Sequence, residues 1–203
     1  IINMQMPPGM TMSEQQTANA LGVSRTPVRE AFIRLSRERM VIITPQRRTA
    51  VAKISTERAQ QEHFLRESLE QAVLEQFVLN VKPEALAALT QTIQLQKTAL
   101  QDRDFVAFLE YDDDFHKTFY MATDKHLCYQ LLRRNCFDYQ RLRYLSSYSD
   151  EGIQHLNVNQ HEAMLQLITE RNLQDVQALL RRHVRRIFDE IVLMKEKYPQ
   201  FIL

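Results

Sequence analysis

Leu21-Gly22-Val23-Ser24-Arg25-Thr26-Pro27-Val28-Arg29-Glu30-Ala31 places a helix stop and a helix start two residues apart. Gly22 ends a short segment, Thr11 to Leu21, that reads as helix. Ser24 then stands as the cap of a second helix running to about Arg39. Its side-chain oxygen is placed to accept the N–H of Thr26, and Pro27 falls in the first turn, where a missing donor does no harm. Val28, Ala31, Phe32 and Leu35 recur at i, i+3, i+4 and i+7 and make one apolar face. Arg25, Thr26 and Arg29 are left on the exposed N-terminal side. Two short helices with the second one so arranged form a helix-turn-helix, whose recognition helix offers its first residues to base edges in the major groove.

Beyond that helix, Val41-Ile42-Ile43 and Ala50-Val51-Ala52 are short β-like runs around Thr44-Pro45-Gln46-Arg47-Arg48-Thr49. Two strands with a basic tip make a wing, and Arg47 and Arg48 could reach phosphates or a minor groove beside the recognition helix. Residues 1–55 hold eight basic side chains against three acids, whereas residues 56–203 hold 18 against 22. This asymmetry separates a DNA-facing domain, 1–55, from a mildly acidic domain, 56–203, with another task.

The 203 residues are 44% hydrophobic and 25% charged, a globular mix that excludes disorder and a disulfide scaffold. Cys128 and Cys136 read as reduced thiols. No apolar run is long enough for a membrane helix, and the first residues lack a leader pattern, so the expected location is the cytoplasm. With only Gly9, Gly22 and Gly152 present, phosphate-cradling glycine loops are excluded.

From Ser55 onward the apolar spacing is helical throughout, giving a mainly α protein: a winged helix-turn-helix followed by an all-helical bundle. Six helices are expected: about Thr56–Asn80, one opening at Lys82-Pro83, about Asp104–Thr123, about Lys125–Ser147, about Leu156–Glu170, and a last one capped by Asn172. Ser146 to Gly152 reads as a polar linker. Asp112 and His116 stand four apart on one helix and share a face. His161 and His183 lie on two later helices, each among apolar residues. A bundle can bring these four together as ligands of Zn²⁺, Ni²⁺, Mn²⁺ or Fe²⁺, while the plain alternative is four separate core or surface side chains. A metal-dependent enzyme on a helical bundle is a competing reading. Against it, His161-Glu162 fails as HExxH because residue 165 is Leu, and no Glu-x-x-His pair or GxSxG elbow is present.

The stretch from Leu21 to Ala31 resembles the signature of the GntR family of bacterial winged-helix transcription regulators, and Pro7-Pro8-Gly9 resembles that family's lead-in; the helix that usually precedes it is largely absent from this sequence. The resemblance implies that Arg25, Thr26 and Arg29 contact operator DNA, assisted by the wing. The family often has glycine where Arg39 and Arg48 stand, and some members carry a DNA-contacting arginine where this chain has Gln15. The second half resembles the FCD ligand-binding domain of the FadR-like branch. Phe64-Leu65-Arg66-Glu67-Ser68-Leu69-Glu70 is similar to the segment opening that domain, and Asp112-x-x-x-His116, His161 and His183 stand in the order of its metal site. The implied function is a regulator, more often a repressor, that binds a palindromic operator as a homodimer under control of a small carboxylate held at the metal. Arg66 could pair with that effector or form a salt bridge to Glu70 at i+4. His63, His126 and His155 match no ligand position. Asp113 could replace Asp112 if the helix is rotated.

Overall fold

A computed structural model describes residues 1–44, 48–149 and 151–203. The first helix, α1 (Glu14–Leu21), begins at Glu14 rather than Thr11, because Thr11 and Met12 form a short strand, β1, paired with Ala50 and Thr49. Ser13 caps α1 by accepting the N–H of Gln16, and Gly22 ends it at φ 66, a left-handed turn that glycine adopts without strain.

Helix α2 spans Arg25–Arg37, and the expected bond from Ser24 to the N–H of Thr26 is absent. The other side-chain caps explain why. Ser13, Ser55, Asp104 and Asn172 each accept the N–H of the third helical residue. In α2 that residue is Pro27, which has no N–H to give.

Val28 and Phe32 bury against Met12, Ala18, Val41 and Val51, with Leu35 at the edge; Ala31, expected on this face, is exposed. At the exit of α2, Arg39 adopts φ 60. Its N–H donates to Ser36 and that of Met40 to Leu35, a helix end that usually carries glycine in Arg39's place. Strands β2 (Val41–Thr44) and β3 (Arg48–Val51) follow, in the antiparallel order β1-β3-β2. The wing is thus three-stranded; a two-residue strand leaves no alternation for the sequence to reveal.

The second half contains α3 (Thr56–Leu79), α4 (Pro83–Gln101), α5 (Phe105–Ala122), α6 (His126–Asn135), α7 (Phe137–Ser149), α8 (Glu151–Thr169) and α9 (Leu173–Arg185). A 3₁₀ turn, Arg186–Phe188, leads into α10 (Ile191–Lys197). The expected fourth helix breaks at Cys136 into α6 and α7. The supposed linker from Ser146 to Gly152 is helical at its described residues, and α8 starts ahead of Leu156. Ser146 and Ser147 are buried on the inner face of α7, so packing overrides their weak helix preference.

Leu74, Phe77, Leu89, Phe108, Phe119, Met164 and Leu180 lie in the main core, drawn from α3, α4, α5, α8 and α9. A second cluster joins Ile54, Leu142, Leu145, Ile187, Met194 and Ile202. Among the described residues, no helix is long and apolar enough to cross a membrane.

Candidate functional site

Helix α5 carries Asp112 and His116 on the face that also buries Phe108, Phe115 and Phe119. His161 on α8 and His183 on α9 enter the same space, with Met164 and Ile168 packed beside one and Leu179 and Leu180 beside the other. All four side chains are buried, and one ligand atom from each lies within 4.8 Å of every other. His183 Nε2 is 3.3 Å from Nε2 of both His116 and His161. Asp112 Oδ1 lies 3.7 Å from His161 Nε2, and its Oδ2 lies 3.9 Å from His116 Nε2.

The outer ring nitrogens have partners of their own. His161 Nδ1 is 2.8 Å from Gln96 Oε1, and His183 Nδ1 is 2.7 Å from Gln160 Oε1. His116 Nδ1 lies 3.1 Å from Glu70 Oε2, an off-line contact that is electrostatic rather than a well-aligned hydrogen bond. Two amide oxygens therefore place the ring protons of His161 and His183 on Nδ1 and turn their Nε2 lone pairs inward, while the Glu70 carboxylate faces His116 Nδ1 and leaves its Nε2 toward the same space. Phe115 stacks on His161 at 4.1 Å and fixes the ring plane.

Burial supports a neutral ring at His161 and at His183. Burial, reinforced by the nearby His116, Arg143 and Arg66 and opposed by Asp112, brings His161 down to about 3. Burial and the other two imidazoles take His183 well below its ordinary value. Burial alone would raise Asp112, but Arg143 and the imidazoles hold it ionised, far below the usual carboxylate range. Glu70, which burial would also raise, is held at about 2 by Arg66 and His116.

Ring nitrogens converging on an ionised carboxylate offer their lone pairs to a shared proton or to a cation set among them. Two imidazole nitrogens bound to a metal at about 2.1 Å stand roughly 3.0–3.4 Å apart for octahedral to tetrahedral angles, which matches the 3.3 Å contacts. The four residues could hold a divalent transition metal.

Asp113 points elsewhere: its carboxylate takes Arg143 and Arg133, each at 2.5 Å. Asp114 is half-buried and turned away from the cluster, in contact with Lys117. His126 and His155 are exposed, and His63 is buried against Tyr139 and Phe188, away from the cluster. Arg66 holds Glu70 at 2.8 Å and also edges a cavity of about 30 Å³ beside Asp112 and His183, with Arg143, Asn157 and Arg186 on its other walls.

In the N-terminal half, Arg25, Thr26 and Arg29 are exposed on the first turns of α2. Arg25 pairs with Glu14 at 3.1 Å. Arg25 and Arg29 share one groove with Gln15, Ile43, Arg48 and Thr49, so helix and wing present a single basic concave face. Arg47 lies outside the described residues.

Residues 1–51 match the bacterial regulatory proteins of the gntR family, and residues 61–186 match the FCD domain. The chain belongs to the GntR family and carries an FCD domain. It is a DNA-binding transcriptional regulator rather than an enzyme. This GntR regulator is 27% identical over 191 residues to the HTH-type transcriptional repressor RspR of Escherichia coli K12, covering 94% of the chain and 83% of the relative. It is 26% identical over 200 residues to an HTH-type transcriptional regulator in an unstable DNA locus of Streptomyces ambofaciens, covering 98% and 84%. Its fold is similar to that of E. coli McbR/YncC, with TM-score 0.79 and 18% identity over 97% of this chain and 92% of the other. A GntR regulator from Rhodococcus sp. RHA1 is similar at TM-score 0.76 and 20% identity, covering 94% and 91%.

Gln96, Gln160 and Arg143 were not singled out by the sequence of the regulator. Gln96 left a trace: with Leu89, Ile93 and Ala99 it sits in the buried phase of α4, and a lone amide in an apolar stripe signals a partner.

Proposed function

We propose that this GntR-family regulator represses transcription in the cytoplasm by binding a palindromic operator as a homodimer, and that a small carboxylate at a metal site in the FCD domain sets its operator affinity. The carrying observation is the buried convergence of Asp112 and three imidazoles, two of which have their Nδ1 protons committed to Gln96 and Gln160. Asp112, His116, His161 and His183 are the ligands in this reading. Three imidazoles and one carboxylate suit Zn²⁺ or Ni²⁺, with Mn²⁺ or Fe²⁺ as further candidates. The bound ion would supply a Lewis-acid anchor for an effector carboxylate. Arg66 and Arg143 edge the adjoining cavity and would face the rest of the effector, whose size the narrow space limits to a few heavy atoms.

On the DNA side, Arg25, Thr26 and Arg29 would read base edges while Arg47 and Arg48 take phosphates or a minor groove. Arg25 must leave Glu14 to do so. One such head makes too few contacts for useful specificity, and two related by a two-fold axis read half-sites about one helical turn apart. The name of the RspR relative supports the repressor sense.

Two measurements test the reading. Elemental analysis of purified, EDTA-stripped and reconstituted protein should give about one transition metal per chain, lost in His116→Ala and His183→Ala. Arg29→Ala should weaken operator binding with metal content intact. No metal in any sample removes the metal site, and unchanged operator affinity removes Arg29 from the reading face.

A further inference from the structure

Helix α7 has two buried faces. Tyr139, Arg143, Ser146 and Ser147, at i, i+4, i+7 and i+8, line the cavity beside Asp112 and His183. Asp138, Arg141, Leu142 and Leu145, at i, i+3, i+4 and i+7, face the junction between the two halves of the chain. Arg141 is fully buried and donates to the carbonyls of Ala52 at 2.7 Å and Lys53 at 3.2 Å. It also grips Asp138, whose second oxygen accepts the N–H of Ser55 at 3.3 Å. Leu142 and Leu145 share a cluster with Ile54 and Ile202. Ile54 in turn exchanges backbone bonds of 2.9 Å with Phe201 and Leu203. The segment joining the wing to α3 is therefore clamped against α7 rather than strung loosely across the gap.

A second connection leaves the first turn of α7. The N–H of Tyr139 donates to Glu62 Oε2 at 2.8 Å. Glu62 Oε1 lies 2.7 Å from Arg58 Nε, and Arg58 Nη1 donates to the carbonyl of Glu38 at 2.7 Å. Glu38 closes the recognition helix α2. One helix thus forms a wall of the metal cavity, holds the inter-domain segment, and is tied through two side chains to the end of the DNA-reading helix.

From this arrangement the structure assigns Arg141 and Arg58 the role of positioning residues that transmit the state of the metal cavity to the DNA-binding half through α7. The inference rests on the reading of Asp112, His116, His161 and His183 as metal ligands. Its physical basis is competition for one carboxylate. Arg143 is shared between Asp112 on one side and Asp113 and Gln140 on the other, so a metal that draws Asp112 inward shifts the balance of its anchors toward Asp113. Arg141 is two residues away on the same helix, and a close-packed helix shifts as a body rather than bending residue by residue. A ligand that favours one placement of α7 then favours one placement of the inter-domain segment.

The test uses the full chain stripped with EDTA and then loaded with Zn²⁺ alone, with zinc stoichiometry and amide hydrogen exchange followed in parallel. Zinc should change exchange in α5, α8 and α9 and also, by about fivefold or more, in peptides covering residues 36–41 and 50–55. Arg58→Gln, a partly exposed position, should keep zinc and the change in α5, α8 and α9 while losing the change at 36–41. Arg141→Lys, which keeps the charge but not the fork, should lose the change at 50–55. Zinc bound at one per chain without a remote change in the wild type overturns the coupling and leaves the metal site standing. A remote change that persists undiminished in both variants also overturns it. Absence of zinc binding overturns the metal reading and the coupling with it.

Discussion

Gln96 presents its oxygen, not its nitrogen, to His161. The amide Nε2 donates to the carbonyl of Tyr111 at 3.2 Å, which leaves Oε1 as the group 2.8 Å from His161 Nδ1. The imidazole must then donate from Nδ1 and keep its Nε2 lone pair for the cluster. Gln96→Leu preserves bulk and removes this constraint. Metal affinity should fall about 10- to 100-fold with the fold retained, as read by competition with a chromophoric chelator. An unchanged affinity would mean that packing against Phe115 alone orients the ring.

Metal removal should lower thermal stability. An ion that binds the folded chain and is present at 100 times its Kd adds about 2.7 kcal/mol, roughly 5–10 °C in Tm for a chain of this size. Scans with and without EDTA check this. The difference should vanish in His183→Ala, whose Tm should not respond to chelator.

Glu62 gives stability a pH signature separable from the metal site. Burial pushes its carboxyl up to about 7, against the lowering contacts from the Tyr139 N–H and Arg58. The folded chain therefore binds this proton more tightly than the unfolded chain, whose carboxyl titrates near 4.5. Its contribution is fully present below about pH 4.5 and is lost as pH rises to about 7. Urea titrations across that window should show wild type losing stability relative to Glu62→Gln as pH increases, with the gap constant above it. A parallel pair of curves would contradict the assignment.

Arg39→Gly should stabilise the protein. Arg39 holds φ 60 at the end of α2 and is exposed there. A side chain in the left-handed region is strained, while glycine is not, and part of that gain is offset by glycine's freedom in the unfolded chain. Relief of about 1–2 kcal/mol of left-handed strain less about 0.4–1 kcal/mol of unfolded-state entropy leaves a net increase of about 0.5–1 kcal/mol in denaturant unfolding. A decrease would mean that the arginine side chain makes a compensating contact.

The sequence made the two-part architecture legible because its signals are local. Gly22 and Ser24 mark a stop and a start, and the charge divide near residue 55 needs no contacts to be seen. The four residues of the buried cluster were also legible, since a histidine among Leu179, Leu180 and Val184 or beside Met164 sits on an inward face. What escaped depended on distant partners. Ser146 and Ser147 look like a linker until the cavity they line is known, and Arg143 looks like any surface arginine until Asp112 and Asp113 are placed opposite it. The missing Ser24 cap was readable in principle, because Pro27 occupies the position whose N–H the other side-chain caps use.

Because of that proline, α2 lacks the one amide donor that a side-chain cap would serve. Its first turn has two arginines nearby, no acid of its own and no side-chain cap, so the positive end of its dipole goes without local compensation. Glu14 reaches Arg25 from α1 but not the bare amides. What the sequence withholds, an anion from outside can supply, and a phosphate is the kind of anion a helix N-terminus binds. A phosphate held there would supply the negative charge that the first turn of α2 does not find within its own chain.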